Sequence, residues 1–122
     1  MSLQSFKELL VWQKGIDLVE EVYRLSASLP KDERFGLKSQ MQRAAVSISS
    51  NIAEGYGRTH RGDYLRYLSI ARGSLLELET QIEVTVRLGF LSPQQVQKAS
   101  ILIEETGRLL FRLIQSLSLR KP

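Results

Sequence analysis

The fold is decided by residues 64–82, which read YLRYLSIARGSLLELETQI. Apolar or small side chains return along this stretch at alternating intervals of four and three residues, at Tyr64, Leu68, Ala71, Leu75, Leu78 and Ile82. This spacing puts them on one face of an α-helix and is similar to the seam of a coiled coil. The stretch therefore predicts a long helix that buries one face against other helices.

Three further stretches carry the same helical spacing. Their seams are Val11, Leu18, Val22, Leu25 and Leu29; Leu37, Met41, Ala44, Ile48 and Ile52; and Val96, Ala99, Ile103, Thr106, Leu110, Leu113 and Leu117. The pattern predicts four helices, at about residues 7–29, 34–55, 62–88 and 93–118. Short connections favour antiparallel neighbours. We therefore expect an all-α, up-down-up-down four-helix bundle that forms a single domain over residues 1–122.

Residue types that start or stop helices support these boundaries. Ser5-Phe6-Lys7-Glu8 has the form of a capping box, and Ser92 precedes a proline, Pro93, that suits a first helical position. Pro30 is expected to end the first helix. Gly55 and Gly57 are expected to supply left-handed backbone where the second helix ends, and the third helix is expected to end at Leu88-Gly89.

The composition limits the class of protein. The chain has 122 residues, 43% of them hydrophobic, and no cysteine, which excludes disulfides and thiolate chemistry. The N-terminal segment lacks the apolar run of a signal peptide, and no later run is long enough to span a bilayer. We expect a cytoplasmic protein that does not enter the membrane.

No catalytic constellation is recognisable in the sequence. His60 is the only histidine, so neither a di-metal centre nor a Ser-His-acid set can be assembled. Glu79 and Glu83 share a helix face, which suits a cation or, more readily, a solvated or arginine-paired surface. We expect a protein that is not an enzyme, with no metal and no cofactor.

Basic residues concentrate in the middle of the chain. The net charge of the chain is +4. The segment from Arg34 to Arg72 contains seven arginines and lysines but only two acidic residues, Glu54 and Asp63. Within this segment, the turn between the second and third helices combines cations and tyrosines. We call it the basic-aromatic corner: Tyr56, Arg58, His60, Arg61, Tyr64, Arg66 and Tyr67.

Such a corner suits phosphate contact and base stacking. Arg43, Arg58, His60, Arg61 and Arg66 are the candidate nucleic-acid-binding residues. The alternative is that loop arginines are merely solvated and Tyr64 serves the core. Arg108, Arg112, Arg120 and Lys121 form a second cluster, which also complements a helix C-terminus.

Polar residues among small or apolar neighbours suggest a second group. Asn51, Glu54 and Arg72 are expected to form an interhelical hydrogen-bond network that fixes helix register, or alternatively to bind a ligand. Glu77 and Glu79 are included in this predicted structural network.

Three segments together resemble the bacterial 23S rRNA-intervening sequence protein family, also called the four helix bundle protein family. They are Phe6-x-x-Leu9-x-Val11-Trp12-Gln13-Lys14, residues 40–58 with Asn51-Ile52-Ala53-Glu54-Gly55, and residues 70–81 with Ala71-x-Gly73-Ser74-x-x-Glu77-Leu78-Glu79. The resemblance implies a ring-shaped homopentamer. It also implies kinship with the accessory protein of diversity-generating retroelements, a basic pentamer that binds nucleic acid and a reverse transcriptase. Where the family has a capping Ser or Thr before the third helix, this chain has His60.

Two functions follow as expectations. The first is nucleic-acid binding, of RNA or single strands, by a basic homo-oligomer. The alternative is a protein-protein scaffold, or an accessory subunit that docks on a nucleic-acid enzyme such as a reverse transcriptase. Broad apolar faces on the first and fourth helices favour association between copies.

Overall fold

The computed structural model describes residues 5–119, and within that range it contains helices and no strand. The four α-helices are α1 (Leu10–Ser26), α2 (Leu37–Tyr56), α3 (Arg61–Arg87) and α4 (Gln97–Ser118). Two 3-10 turns, Phe6–Glu8 and Lys31–Glu33, precede α1 and α2. Helix α1 packs against α2 and α4, and α3 packs against the same two helices. The predicted four-helix bundle is confirmed.

The predicted seams form the core. All five seam residues of α1 and its following turn are buried, as are Met41, Ala44, Ile48 and Ile52 of α2, whereas Leu37 at the start of the α2 seam is half-buried. In α3 and α4 the seams are equally buried except for Tyr64 and Leu113, which are half-buried at the edge of the core. Thr106 is fully buried in the α4 seam, and its hydroxyl is satisfied there because it donates to the Leu102 carbonyl at 2.6 Å.

The predicted capping residues form their hydrogen bonds, but they cap short turns that precede the regular helices α1 and α4. Ser5 and Glu8 form the predicted capping box around the turn Phe6–Glu8, and α1 begins only at Leu10. Ser92 and Gln95 form a reciprocal pair, in which the Gln95 amide donates to Ser92 Oγ at 3.1 Å and the Ser92 amide donates to Gln95 Oε1 at 2.8 Å. These caps stabilise the turns that lead into α1 and α4.

The prediction of left-handed backbone at Gly55 and Gly57 is wrong. Gly57 has a right-handed φ of −78°, and within residues 5–119 the only positive φ belongs to Gly89, at 76° after α3. Gly55 is instead required by close packing. A Cβ added there would lie 2.9 Å from both Tyr64 Cδ1 and Tyr67 Cβ, and 3.2 Å from the Tyr64 carbonyl oxygen. Gly55 therefore lets α3 approach α2.

Substituting Gly55→Ala should destabilise the fold. Overpacking of this kind costs about 1–3 kcal/mol, which exceeds the gain of about 1 kcal/mol in helix propensity that alanine brings. Gly73→Ala is the matched control, because Gly73 is also helical and nothing lies within 4 Å of an added Cβ. Urea unfolding should show Gly55→Ala less stable and Gly73→Ala more stable than the parent. Equal stabilisation by both would contradict the packing argument.

Candidate nucleic-acid interface

The antiparallel arrangement brings one end of each of the four helices to the same end of the bundle. The basic-aromatic corner lies there, between the C-terminus of α2, the N-terminus of α3 and the C-terminus of α4. Leu117 of α4 lines the same cleft as Tyr56 and His60. The corner is therefore built by elements that are distant in the sequence.

A small cleft opens at this corner. It has a volume of about 280 Å³ and is lined by Tyr56, Arg58, Thr59, His60, Arg61, Tyr64 and Leu117. The rings of Tyr56 and Tyr64 meet edge to face, with centroids 6.3 Å apart at 87°. Apolar surface thus forms part of the wall, while arginines and the histidine supply hydrogen-bond donors.

Burial affects the chemistry of the cleft. It raises the pKa of the Tyr64 phenol above its ordinary value of 10.0, and the neighbouring Tyr56 raises it further. The folded chain therefore holds this proton more tightly than the unfolded chain does. Any stability linked to it is present below pH 10.0 and is lost as the pH rises through the folded-state pKa.

Tyr67 contacts two arginines beside the cleft, Arg58 and Arg66. Arg58 Nη2 donates to Tyr67 Oη at 2.7 Å, and the Arg58 guanidinium carbon lies 4.7 Å from the ring centroid. The Arg66 guanidinium carbon lies 4.8 Å from the same centroid. Neither arginine forms an ion pair with a carboxylate among residues 5–119. Both charges therefore remain available to an anion.

Arg43 lies apart from the other predicted binding residues. It lines a groove between α1 and α2 with Tyr23 and Val46. Arg43 precedes Gly55 by twelve residues, so the two are ~18 Å apart along α2. The structure brings together Arg58, His60, Arg61 and Arg66, and it separates Arg43 from them.

The second basic cluster is only partly described. Arg108 and Arg112 are exposed on α4, whereas Arg120 and Lys121 lie outside the described residues. Arg108 lines a groove between α3 and α4 together with Arg72, Leu76 and Phe111. Arg72 and Arg108 therefore belong to a side face of the bundle.

Of the five residues in the predicted polar network, only Asn51 forms a hydrogen bond with another described residue of the same chain. Asn51 Nδ2 donates to the Ser47 carbonyl at 2.8 Å, and Ser47 Oγ lies 2.9 Å from Ser74 Oγ across the α2–α3 interface. Four other predicted members are exposed and have no hydrogen bond or ion pair with another described residue: Glu54, Arg72, Glu77 and Glu79. All four lie outside the core seam, and Arg72 and Glu79 line the groove between α3 and α4.

Sequence reasoning missed two residues that line the cleft, Thr59 and Leu117. It placed Tyr67 in the corner but did not predict that Tyr67 contacts both Arg58 and Arg66. The spacing from Arg66 to Tyr67 gave no sign of this, because the partner Arg58 lies on the preceding loop. The predicted antiparallel topology could have placed Leu117 near the cleft, because it puts the C-terminus of α4 beside the turn between α2 and α3.

The described part of the chain offers neither a metal-binding cluster nor a membrane-spanning helix. Between residues 5 and 119, no group of three or more His, Cys, Asp or Glu side chains is arranged to hold a metal ion. In the same range, every helix is too short or too polar to cross a membrane.

Comparison with known proteins gives one family and one fold. The sequence model of the 23S rRNA-intervening sequence protein family matches residues 7–112. A crystal structure of a protein of unknown function, from the S23 ribosomal protein family of Bacteroides thetaiotaomicron, superposes with a TM-score of 0.80. It shares 24% sequence identity, and the match covers 86% of this chain and 98% of that one. That likeness shows the fold. None of the curated proteins matches the chain.

Replacing His60 by serine should stabilise α3. His60 has the extended backbone of an N-cap, φ −103° and ψ 134°, but its side chain makes no capping hydrogen bond. Serine there would cap the helix and complete a Ser-x-x-Asp pair with Asp63, for a gain of about 1 kcal/mol. Thermal unfolding of His60→Ser and of the control His60→Ala measures this. A serine variant no more stable than the alanine variant would exclude capping.

Proposed function

This chain belongs to the 23S rRNA-intervening sequence protein family, and from that premise we propose that it is a non-enzymatic cytoplasmic protein that binds single-stranded nucleic acid through the basic-aromatic corner. The family description refers to a sequence within 23S rRNA, which makes RNA the first nucleic acid to test. Phosphates would be contacted by the four basic residues of the corner, Arg58, His60, Arg61 and Arg66. A base would be contacted by Tyr56 and Tyr64.

The observation that carries the proposal is a pair of uncompensated arginines beside an aromatic cleft. Arg58 and Arg66 are exposed and have no described carboxylate partner. Cations of this kind release counterions from a phosphate backbone, and this supplies sequence-independent affinity. The adjacent tyrosines offer stacking or edge contacts to a base.

The shape of the cleft favours single strands. A base held in a duplex presents only its edges in a groove, whereas an unpaired base can be turned out against aromatic side chains. The cleft is about 280 Å³ and is bordered by Tyr56, Tyr64 and Leu117. An unpaired base has access to such a surface.

Association between copies would strengthen binding. The chain carries a formal charge of +4, so the pentamer implied by the resemblance would carry five times that, or +20. Several corners on one particle would engage one strand with a high effective concentration. The α3–α4 groove, about 540 Å³ in volume, supports a contact between copies because Leu76 and Phe111 line it and are 48% and 58% exposed.

Filter binding with single-stranded RNA at two salt concentrations tests the function. The parent should bind at low salt and lose affinity as salt rises. The triple variant Arg58→Gln, Arg61→Gln, Arg66→Gln should bind at least about tenfold more weakly, with a salt slope that is shallower by roughly 1–3.

The control removes the same charge from the opposite end of the bundle. Lys31→Gln, Arg34→Gln, Arg87→Gln changes three exposed cations there. This variant should keep nearly all the affinity. Equal losses in both triple variants would mean that net charge alone drives binding, and no binding by the parent would refute the proposed function.

Phe111→Glu should disrupt self-association. A charge placed in the α3–α4 groove opposes burial of that face. Phe35→Glu is the control, because Phe35 is 87% exposed in the link between α1 and α2. Sedimentation should give a single chain for Phe111→Glu and an oligomer for Phe35→Glu and the parent. A monomeric parent would refute association.

A second candidate function is docking on a protein. Phe35 and Leu88, 87% and 60% exposed, lie in the two connections at the end of the bundle opposite the corner. Exposed apolar residues of this kind suit an accessory subunit of a nucleic-acid enzyme. A partner captured from lysate that survives nuclease treatment and is lost with Phe35→Glu would favour this function.

A further inference from the structure

Tyr67 occupies an unusual position in the basic-aromatic corner. Its stem is held against α2, because Tyr67 Cβ lies only 2.9 Å from the position of a Cβ built on Gly55. Its hydroxyl accepts a hydrogen bond from Arg58, and its ring lies within 5 Å of the guanidinium carbons of both Arg58 and Arg66. Tyr67 thus connects a fixed backbone to two exposed cations.

This arrangement prepares the arginines for an anion. Two neighbouring guanidinium groups repel each other, and a free arginine loses rotamer freedom when it binds. The electron-rich ring attracts each cation, and the hydrogen bond to the hydroxyl orients Arg58. Cations that are ordered before binding lose less entropy when a phosphate arrives.

Tyr67 differs in this respect from the other two tyrosines of the corner. Tyr56 and Tyr64 line the cleft, whereas Tyr67 does not. Its ring is engaged by guanidinium groups before any base arrives, which makes it a poor stacking surface.

We propose that Tyr67 is a positioning residue that holds Arg58 and Arg66 as paired ligands for neighbouring phosphates of one strand. The corner therefore recognises the sugar-phosphate backbone at this point, independently of base identity. This inference rests on the proposed function and adds to it the chemical group recognised and the residue that organises its recognition.

Two oligonucleotides of equal length and equal phosphate number test the assignment, one with ordinary bases and one composed of abasic sites. Tyr67→Leu should weaken binding to both by the same factor, about three- to tenfold, and should reduce the salt slope by roughly 1. Tyr67→Phe keeps the ring and loses the hydrogen bond, so its affinity should be intermediate. Tyr23→Leu, on the exposed tyrosine of α1, should change neither affinity nor slope.

A base-stacking role for Tyr67 would give a different result. If Tyr67→Leu weakens binding only to the strand with bases and leaves the salt slope unchanged, Tyr67 stacks on bases and the inference is wrong. If the leucine variant does not fold, Tyr67→Phe decides, because loss of the hydrogen bond must then lower affinity for the abasic strand.

A readout without nucleic acid separates this inference from the proposed function. The arginine side-chain resonances of Arg58 and Arg66 should be ring-current shifted in the free protein and should return to ordinary values in Tyr67→Leu. Unshifted resonances would overturn the positioning role even if RNA binds. Shifted resonances in a protein that binds neither strand would refute the proposed function and the phosphate role, while the arginine pair itself would stand.

Discussion

The close approach of α2 and α3 is the contact on which the candidate site depends. Small side chains make it possible, since Ser47 and Ser74 meet across the interface at 2.9 Å and Gly55 receives Tyr64 and Tyr67. Gly55 sets the backbone positions of Tyr64 and Tyr67 relative to α2. The turn between α2 and α3 sets the backbone position of Arg58. The backbone positions in the corner thus follow from the close packing of α2 against α3.

The core was predictable from the sequence because burial follows helical periodicity. Leu68, Ala71 and Leu78 are fully buried, as their spacing requires. The ends were less predictable. Ser5 and Ser92 do cap turns, but the regular helices begin only at Leu10 and Gln97, and residue types alone do not set that offset.

The candidate site was predictable as a group of residues and unpredictable as a surface. Arg58, His60, Arg61 and Arg66 are neighbours in the sequence, so one turn keeps them together. Arg43 and Arg72 share their charge but lie along the helices, where the seam decides which side each faces. The exposure of the four charged members of the expected network has the same cause. Buried hydroxyls such as those of Thr85 and Ser26 instead donate to carbonyls of their own helix.

Separation of the two surfaces has a functional consequence. The corner lies at one end of the bundle, whereas the α3–α4 groove runs along its side between Arg72 and Phe111. A copy that packs in the groove would leave the cleft and Tyr67 open, because Leu117 is the α4 contribution to the cleft and lies beyond the groove. Assembly through the side and binding through the end are therefore compatible in one particle. In a closed ring, symmetry would repeat the corner at equal height on every copy. One weak phosphate site would then become a circle of identical sites along a single strand.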